Sequence, residues 1–323
     1  MRRRIFVCIS TVTLSLISCG GLSLIHSPSP AITPTWTSSP LSVPIENPTL
    51  TPITFPTNTP TLLPTETALP TFTLTTTLTL EPQWILQGPG QVVVPILLYH
   101  HIGFSMTGEG VYYVSPEEFD RQMNLLYQWG YETISVELLA RAIREGAELP
   151  PKPIVLTFDD GSESTYNIAL PIMQRYHFTG ISYIVSNYVG ITNYMDADQI
   201  RGLHAAGWEI GSHSLSHVDL TTRPDRQEDE IIQSRRQLEG LLGVPVLSFA
   251  YPFGAYDESS LGYVHLAGYI AAMGLGNGSL QETKNQYYLS RHAVRGTDDL
   301  QTFASGLPWR QEQIDLPALT IVP

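Results

Sequence analysis

Downstream of about residue 90, short apolar runs alternate along the chain with longer amphipathic stretches. The runs 92–99 and 153–158 are apolar at most consecutive positions, which is typical of strands buried on both faces of a sheet. Between these runs, Ser115 and Pro116 form a helix start and Gly130 a helix stop. The alternation therefore predicts parallel strands joined by helices.

Extended along the chain, the pattern predicts about seven strand–helix units. The strands fall at 92–99, 131–134, 153–158, 181–185, 208–210, 246–250 and 269–273. The helices fall at 116–129, 136–144, 167–176, 198–206, 226–242 and 258–267. This number of units favours a barrel over an open sheet, and the loops that follow barrel strands form the active face.

The first 19 residues have the pattern of an export signal. Arg2 to Arg4 precede an apolar stretch from Ile5 to Ile17 that is too short to span a bilayer. The stretch ends in Ser18-Cys19-Gly20, which resembles the lipobox of bacterial lipoproteins. This resemblance implies lipidation of Cys19, an anchor in the cell membrane and a folded domain that faces outward. The alternative is an ordinary cleaved signal with an incidental cysteine.

Residues 20–87 consist mainly of Pro, Thr and Ser and carry almost no charge. Such a segment cannot bury enough apolar surface to offset the conformational entropy of an ordered chain. We therefore expect a disordered Pro/Thr/Ser-rich stalk over 20–87, a folded domain over 88–310 and a tail over 311–323.

Composition narrows the chemistry of the folded domain. The formal net charge of −13 argues against a nucleic-acid partner, which requires a basic patch, and nothing predicts a protein partner. The two cysteines, Cys8 and Cys19, both lie in the predicted signal. The domain therefore has no disulfide and no zinc–thiolate site, and a metal there must use nitrogen and oxygen ligands.

Polar and aromatic residues follow four of the predicted strands. The four segments are Tyr99-His100-His101, Asp159-Asp160, His213 to His217, and Tyr251-Pro252-Phe253-Gly254. Because the carboxyl ends of parallel barrel strands share one face, we expect these segments to converge there.

An aspartate and two histidines supply three protein ligands for a divalent metal and leave a position for water. In Asp159-Asp160 one carboxylate can bind the metal while the other faces the water as a base. His213 and His217 present both rings on one side if their segment is helical or a tight turn. Taken alone, the two aspartates would also suit a solvated turn. The prediction of a metal site therefore rests on the aspartates and the histidines together.

The segments Thr157-Phe158-Asp159-Asp160-Gly161 and His213-Ser214-Leu215-Ser216-His217 resemble the first two motifs of the polysaccharide deacetylase family, also called the NodB-homology or carbohydrate esterase family 4 domain. The segment from Phe249 to Gly254 resembles the third motif. The start, Pro95 to His101, is similar to the branch that acts on poly-β-1,6-N-acetylglucosamine. The resemblance extends over about residues 90–300 and implies an α/β fold, a distorted (β/α)7-type barrel.

The resemblance also implies a role for each matching residue. Asp160, His213 and His217 would bind the metal, and Asp159 would be the catalytic base. Zn²⁺ is the expected metal, although Co²⁺, Ni²⁺ or Fe²⁺ also suits an Asp-His-His set.

The oxyanion of the reaction would be held by the metal and by a backbone N–H, that of Phe253. Tyr251 belongs to the same motif, and His100 is expected to line the sugar site. A histidine packed at a strand end is the alternative for His100.

Two departures from the family pattern affect the base and the proton donor. Many members have an arginine that steadies the base at the position of Ala250, and Arg291 is our candidate for its substitute. His292 is our candidate for the general acid. An Arg291 in a structural salt bridge and a His292 that is merely packed are the alternatives.

The leading hypothesis is a metal-dependent de-N-acetylase, tethered at the cell surface, that acts on a poly-β-1,6-N-acetylglucosamine-type polysaccharide. A second hypothesis keeps the metal and the C–N hydrolysis but changes the substrate to peptidoglycan, chitin oligomers or a small amide. A third is a carbohydrate-binding surface protein of the same fold with weak or lost activity. The spare carboxylate argues against the third, because a pure binder needs no base.

Overall fold

The computed structural model describes residues 83–105, 108 and 110–310 of the 323-residue chain. The predicted signal, Cys19, most of the predicted stalk and the tail 311–323 lie outside these residues. Within them, the predicted alternation of strands and helices is confirmed. No helix in this part of the chain is long and apolar enough to span a membrane.

The strands are β1 (Ile85–Gln87), β2 (Gln91–Val93), β3 (Ile96–Tyr99), β4 (His101–Ile102), β5 (Tyr113–Val114), β6 (Glu132–Thr133), β7 (Ala147–Leu149), β8 (Pro153–Phe158), β9 (Ile181–Ile184), β10 (Glu209–Ser212), β11 (Ser248–Ala250), β12 (Ala271–Met273), β13 (Leu280–Glu282) and β14 (His292–Ala293). The α-helices are α1 (Pro116–Gln128), α2 (Val136–Glu145), α3 (Leu170–Arg175), α4 (Ala197–Ala205), α5 (Ser234–Leu242), α6 (Glu258–Leu266) and α7 (Leu300–Ser305).

One parallel sheet organises the domain. Its strands follow the order β12-β11-β10-β9-β8-β3-β14, and β6 pairs with the start of β8. None of the strands that carry the predicted site, β3, β8, β10 and β11, is at an end of this order, and their carboxyl ends share one edge of the sheet.

The sheet curls toward a barrel, as the family resemblance implies. Leu289 forms a parallel bridge with Met273 of β12, and its N–H donates to the carbonyl of Ala272 at 2.8 Å. A few residues later, β14 pairs with β3 at the other end of the sheet. The segment from Leu289 to β14 thus contacts β12 at one end of the sheet and β3 near the other end.

Side chains alternate between the inside of the curled sheet and the surrounding helices. In β8, Val155 packs in the inner apolar cluster with Tyr183 and Met273. Leu156 and Phe158 pack in the outer cluster, which includes apolar residues of α1. The same alternation sends the side chain of Asp159, one residue beyond the strand, to the inside.

The structure differs from the prediction in the first strand. The predicted strand 92–99 is divided at Pro95, which lacks an N–H for the sheet ladder, so that β2 pairs with β13 and only β3 joins the main sheet. Strand β1, at the end of the expected stalk 20–87, is paired with β7, and the boundaries of the stalk and the domain stay a prediction.

Two of the predicted helices begin with a π-helical turn. The helix predicted at 167–176 starts with the π turn Thr165–Ala169, which leads into α3. The helix predicted at 226–242 starts with the π turn Asp229–Gln233, which leads into α5. Hydrophobic spacing gave no sign of these wider turns.

Candidate active site

The predicted site residues converge at the carboxyl edge of the sheet. They line a pocket of about 610 Å³, a size typical of small-ligand sites. The charged side chains and imidazole rings that line this pocket include those of His100, Asp159, Asp160, His213, His217 and Arg291. These residues come from the ends of β3, β8 and β10 and from the residue before β14.

A turn at the end of β8 brings both carboxylates to the same pocket. Asp160 and Gly161 both have positive φ, 71° and 77°, and aspartate is among the few residues that tolerate this region. The turn interrupts the strand alternation that would otherwise send Asp160 to the opposite face. As a result Asp159 and Asp160 both line the pocket.

The ring of His213 is held by a single strong contact. Its Nδ1 lies 2.8 Å from the carbonyl oxygen of Ala250 at the end of β11. Because a carbonyl only accepts, Nδ1 carries the proton, and Nε2 presents its lone pair to the pocket. The position where many family members have arginine therefore contributes its backbone here.

His217 is brought back beside His213 by a tight turn rather than a helix. Ser214 and His217 both have positive φ, and the N–H of His217 donates to the hydroxyl of Ser214 at 2.9 Å. The two imidazole ring centres lie 4.9 Å apart.

Three potential ligand atoms surround one point. Oδ1 of Asp160 lies 3.5 Å from Nε2 of His213 and 3.4 Å from Nε2 of His217, and the three ligand atoms lie within 4.8 Å of one another. Ligands at zinc-like bond lengths in a tetrahedron are roughly 3.3–3.4 Å apart. Oδ1 of Asp160 is buried without a hydrogen-bond partner among the described residues. These residues therefore fit a divalent cation.

The protonation states also suit a cation. Burial lowers the pKa of His213 to about 3, although the charge of Asp159 opposes this shift. Burial likewise lowers the pKa of His217, against the charges of Asp159 and Glu230. Both rings are therefore neutral near pH 7 and have lone pairs to offer. Burial raises the pKa of Asp160 to about 6, a shift that a bound cation would reverse.

Asp159 is paired with Arg291. Nη1 and Nη2 of the guanidinium donate to Oδ1 and Oδ2 of the carboxylate at 2.7 and 2.8 Å, and both side chains are almost fully buried. Burial by itself raises the pKa of Asp159, but the charges of Arg291 and His213 and the hydrogen bonds from Arg291 lower it from 3.8 to about 2. Asp159 is therefore ionised at neutral pH.

Arg291 is itself held on three sides. Its Nε donates to the carbonyl of Gly274 at 3.0 Å, and Nη1 donates to the hydroxyl of Thr157 at 3.3 Å. Its guanidinium carbon lies 5.6 Å from the ring centre of Tyr183. That ring fits because Gly211 has no side chain, and a Cβ there would come within 2.3 Å of it.

His292 is not brought to the site. Arg291 points to the inside of the curled sheet, so strand alternation places the next side chain on the other side. The ring of His292 lies beside Gly306, at the end of α7, rather than in the pocket lining. This geometry matches the alternative of a packed histidine and argues against a proton donor at this position.

The three residues expected around the substrate all line the pocket. The ring of Phe253 is exposed and contacts the ring of His217, with centres 4.7 Å apart. The ring of Tyr251 packs against Phe249 in the outer cluster, with centres 5.2 Å apart. His100 faces inward after β3, and its ring contacts that of Tyr112.

Several lining residues were not predicted. Tyr188 and Tyr194 follow β9 and line the same pocket, because the loop after β9 begins at the same edge of the parallel sheet as the four predicted loops. Glu230 is buried beneath the histidine loop. Its spacing from Ile231, Ser234 and Leu238 places it on the inner helix face, a signal hidden by the charged sequence around it.

The family model described as polysaccharide deacetylase matches residues 146–272, which contain Asp159, Asp160, His213 and His217. Residues 146–272 therefore belong to a polysaccharide deacetylase domain. The domain is accordingly a hydrolase.

Relatives of this domain share its sequence at low identity. YxkH of Bacillus subtilis, named for the same family, is 25% identical over 214 residues, which cover 66% of this chain and 75% of YxkH. The poly-β-1,6-N-acetyl-D-glucosamine N-deacetylase of Staphylococcus aureus is 24% identical over 195 residues, 56% of this chain and 67% of that protein. The structure of the Streptococcus pyogenes deacetylase PplD in complex with acetate aligns with a TM-score of 0.62 and 25% identity, over 68% of this chain and 99% of PplD.

Replacement of Arg291 by methionine should leave the buried Asp159 charge without a partner. We expect the free energy of unfolding to fall by about 3–5 kcal/mol at neutral pH. Because the pKa of Asp159 in the folded wild type is lowered to about 2, its stabilising contribution is present above about pH 4 and is lost as the pH falls toward 2. The difference between wild type and variant in urea unfolding should therefore narrow over that range. The double variant Arg291→Met, Asp159→Asn should recover part of the loss, and no recovery would contradict the pairing argument.

Proposed function

We propose that this polysaccharide deacetylase domain is a metal-dependent enzyme that removes N-acetyl groups from N-acetylglucosamine residues of an extracellular poly-β-1,6-linked polysaccharide. The observation that carries the proposal is the convergence of Asp160, His213 and His217 on one point, beside a buried carboxylate that is held ionised. Similarity to the Staphylococcus aureus enzyme supports the choice of polymer.

Asp160, His213 and His217 would hold the cation, and Zn²⁺ is the ion that we expect, with Co²⁺, Ni²⁺ and Fe²⁺ also suited to these ligands. When bound, such a cation lowers the pKa of a water molecule and polarises the acyl carbonyl. The neutral rings of His213 and His217 and the free Oδ1 of Asp160 are the donors that this requires.

Asp159 would accept the proton of the attacking water. The bidentate contact with Arg291 fixes the plane of its carboxylate and keeps it ionised. Its low pKa makes it available as a proton acceptor at every physiological pH. The two neighbouring carboxylates thus take different roles because only Asp159 has a guanidinium partner.

The remaining groups would stabilise the oxyanion and release the amine. Phe253 has a positive φ of 60°, and its backbone N–H would donate to the oxyanion. His100 replaces His292 as our proposed proton donor, because His100 faces the pocket and acts electrostatically on both Asp159 and Asp160. Water adds to the acyl carbon, the C–N bond breaks, the nitrogen receives a proton from His100, and acetate and a free amine leave.

Exposed aromatic rings at the pocket mouth would bind the sugar chain. Tyr112 and Phe253 are both half or more exposed, and both line the pocket. The faces of aromatic rings carry partial negative charge and therefore suit the C–H groups on the faces of pyranose rings.

Acetate release from defined oligomers tests the function and the substrate together. We expect release from β-1,6-linked N-acetylglucosamine oligomers to exceed release from β-1,4-linked oligomers, to stop after treatment with a chelator and to return with added Zn²⁺. Asp159→Asn should keep the metal and lose about 10²- to 10⁴-fold in rate, whereas His213→Ala should lose both. Preference for β-1,4 oligomers would favour chitin or peptidoglycan instead, and release that persists without metal would contradict the mechanism.

The proton donor is tested by comparing His100→Asn with His292→Asn. The first should lose about 10²- to 10⁴-fold in rate on N-acetylglucosamine oligomers with unchanged metal content, while the second should remain near wild type. On a nitrophenyl acetate ester, whose leaving group needs no proton, His100→Asn should recover most of the wild-type rate. The reverse ranking of the two variants would restore His292 as the acid.

We also propose that the protein is exported and anchored to the cell membrane through a lipid on Cys19, with the deacetylase domain facing outward. This rests on the sequence of the first 19 residues alone. The variant Cys19→Ala should move from the membrane fraction to the soluble fraction, and its retention in the membrane would contradict lipid anchoring.

A further inference from the structure

The loop that carries His213 and His217 rests on a buried acidic residue. Glu230 lies in the π turn Asp229–Gln233 and is completely buried. Its Oε2 accepts the backbone N–H of Ser216 at 2.8 Å, and its Oε1 accepts the hydroxyl of the same residue at 2.6 Å. Ser216 immediately precedes His217, so both oxygens of Glu230 act on the backbone that carries this histidine.

Arg226 completes the arrangement from one helical turn earlier. Its Nη2 lies 2.6 Å from Oε1 of Glu230 and donates to the hydroxyl of Ser216 at 3.0 Å. The hydroxyl of Ser216 is therefore enclosed between the guanidinium and the carboxylate. Each of the three side chains contacts the other two.

A carboxylate and a guanidinium in a protein interior carry an unfavourable free energy of desolvation. Removing a carboxylate from water costs several kcal/mol, and a pair of hydrogen-bonded charges often stabilises a fold no better than apolar residues of the same size. The helix face that carries Glu230 otherwise presents Ile231, Ser234 and Leu238 to the core. Stability alone does not account for a charge at this position.

The local backbone points to the same conclusion. π-Helical turns are rare and occur frequently at functional sites, and Glu230 lies within one. The His213 ring has the carbonyl of Ala250 to hold it. For His217 the corresponding constraint acts on the backbone, through the positive φ of His217 and the bonds from Glu230 to Ser216.

We propose that Glu230, with Arg226 and Ser216, is a positioning residue that fixes His217 in the geometry required for metal binding. The inference rests on the metal centre of the proposed function and adds a buried layer of residues that supports it. Such outer residues typically contribute about 10- to 100-fold to metal affinity.

The test is the affinity of the purified protein for Zn²⁺, measured by competition with a chromogenic chelator. Glu230→Gln keeps the shape of the side chain but places an amide donor against the donors of Ser216 and Arg226. We expect about 10- to 100-fold weaker binding. The Co²⁺-loaded variant should also show an altered visible absorption spectrum, which a purely structural role distant from the ligands would not cause.

The chain offers a matched control. Glu239→Gln alters a second Arg–Glu pair with the same four-residue spacing, formed with Arg235, on the same helical segment and away from the histidine loop. This variant should bind Zn²⁺ as the wild type does. Equal losses of affinity in both variants would show a general effect of the helix and would overturn the proposal.

Ser216→Ala keeps the test decisive if Glu230→Gln does not fold. It removes only the enclosed hydroxyl, and we expect about 3- to 10-fold weaker Zn²⁺ binding, which corresponds to the net contribution of one ordinary hydrogen bond. If Glu230→Gln folds, wild-type affinity in that variant would overturn the proposal. If it does not fold, wild-type affinity in Ser216→Ala would overturn it. A wild-type protein that binds no Zn²⁺ would overturn the metal centre as well, whereas Zn²⁺ binding without deacetylation would overturn only the proposed reaction.

Discussion

The buried contact between Arg291 and Asp159 is the constraint on which the rest of the site depends. A carboxylate at this depth would favour its neutral form, because burial alone raises its pKa. The guanidinium reverses this preference. It does so only if it is held in the plane of the carboxylate and donates to both oxygens. The guanidinium is held in this position by the hydroxyl of Thr157, the carbonyl of Gly274 and the ring of Tyr183.

The same pocket holds groups in opposite states of charge. Asp159 is ionised, while His213 and His217 are neutral because burial disfavours their protonated forms. Asp160 is less buried than Asp159 and has no guanidinium partner, and its pKa of about 6 lies between these extremes. Two adjacent residues of the same type therefore differ through their surroundings and not through their own chemistry.

The sequence predicted the fold well because the signals were local. Apolar runs, helix caps and stopping glycines identified the strands and helices, and the four loops after the strands converged as parallel strands require. Asp159, Asp160, His213 and His217 could be predicted because they lie in short contiguous motifs. The placement of His100 in the pocket lining and of His292 outside it could not be predicted, since it depends on which residue of a strand faces inward.

Longer-range features of the site were harder to predict. Arg291 was chosen only as a charge near the right place, and its contact with Asp159 spans 132 positions of the chain. The division of the first strand at Pro95 and the two π turns depend on tertiary packing rather than on hydrophobic spacing. Glu230 was missed because a glutamate in a charged stretch has the pattern of a solvated helix face.

The closure of the sheet by the segment around β14 has a consequence for how deacetylases of this type are recognised from sequence. The family model ends at residue 272 and begins at residue 146. It contains the four motif residues of the site but neither Arg291 nor His100, which lie on either side of it. A protein could therefore match the family over this interval and still lack the counter-charge of its base. Where a distant relative lacks the arginine at the position of Ala250, its activity should be judged from an arginine next to its last strand as well as from its motifs.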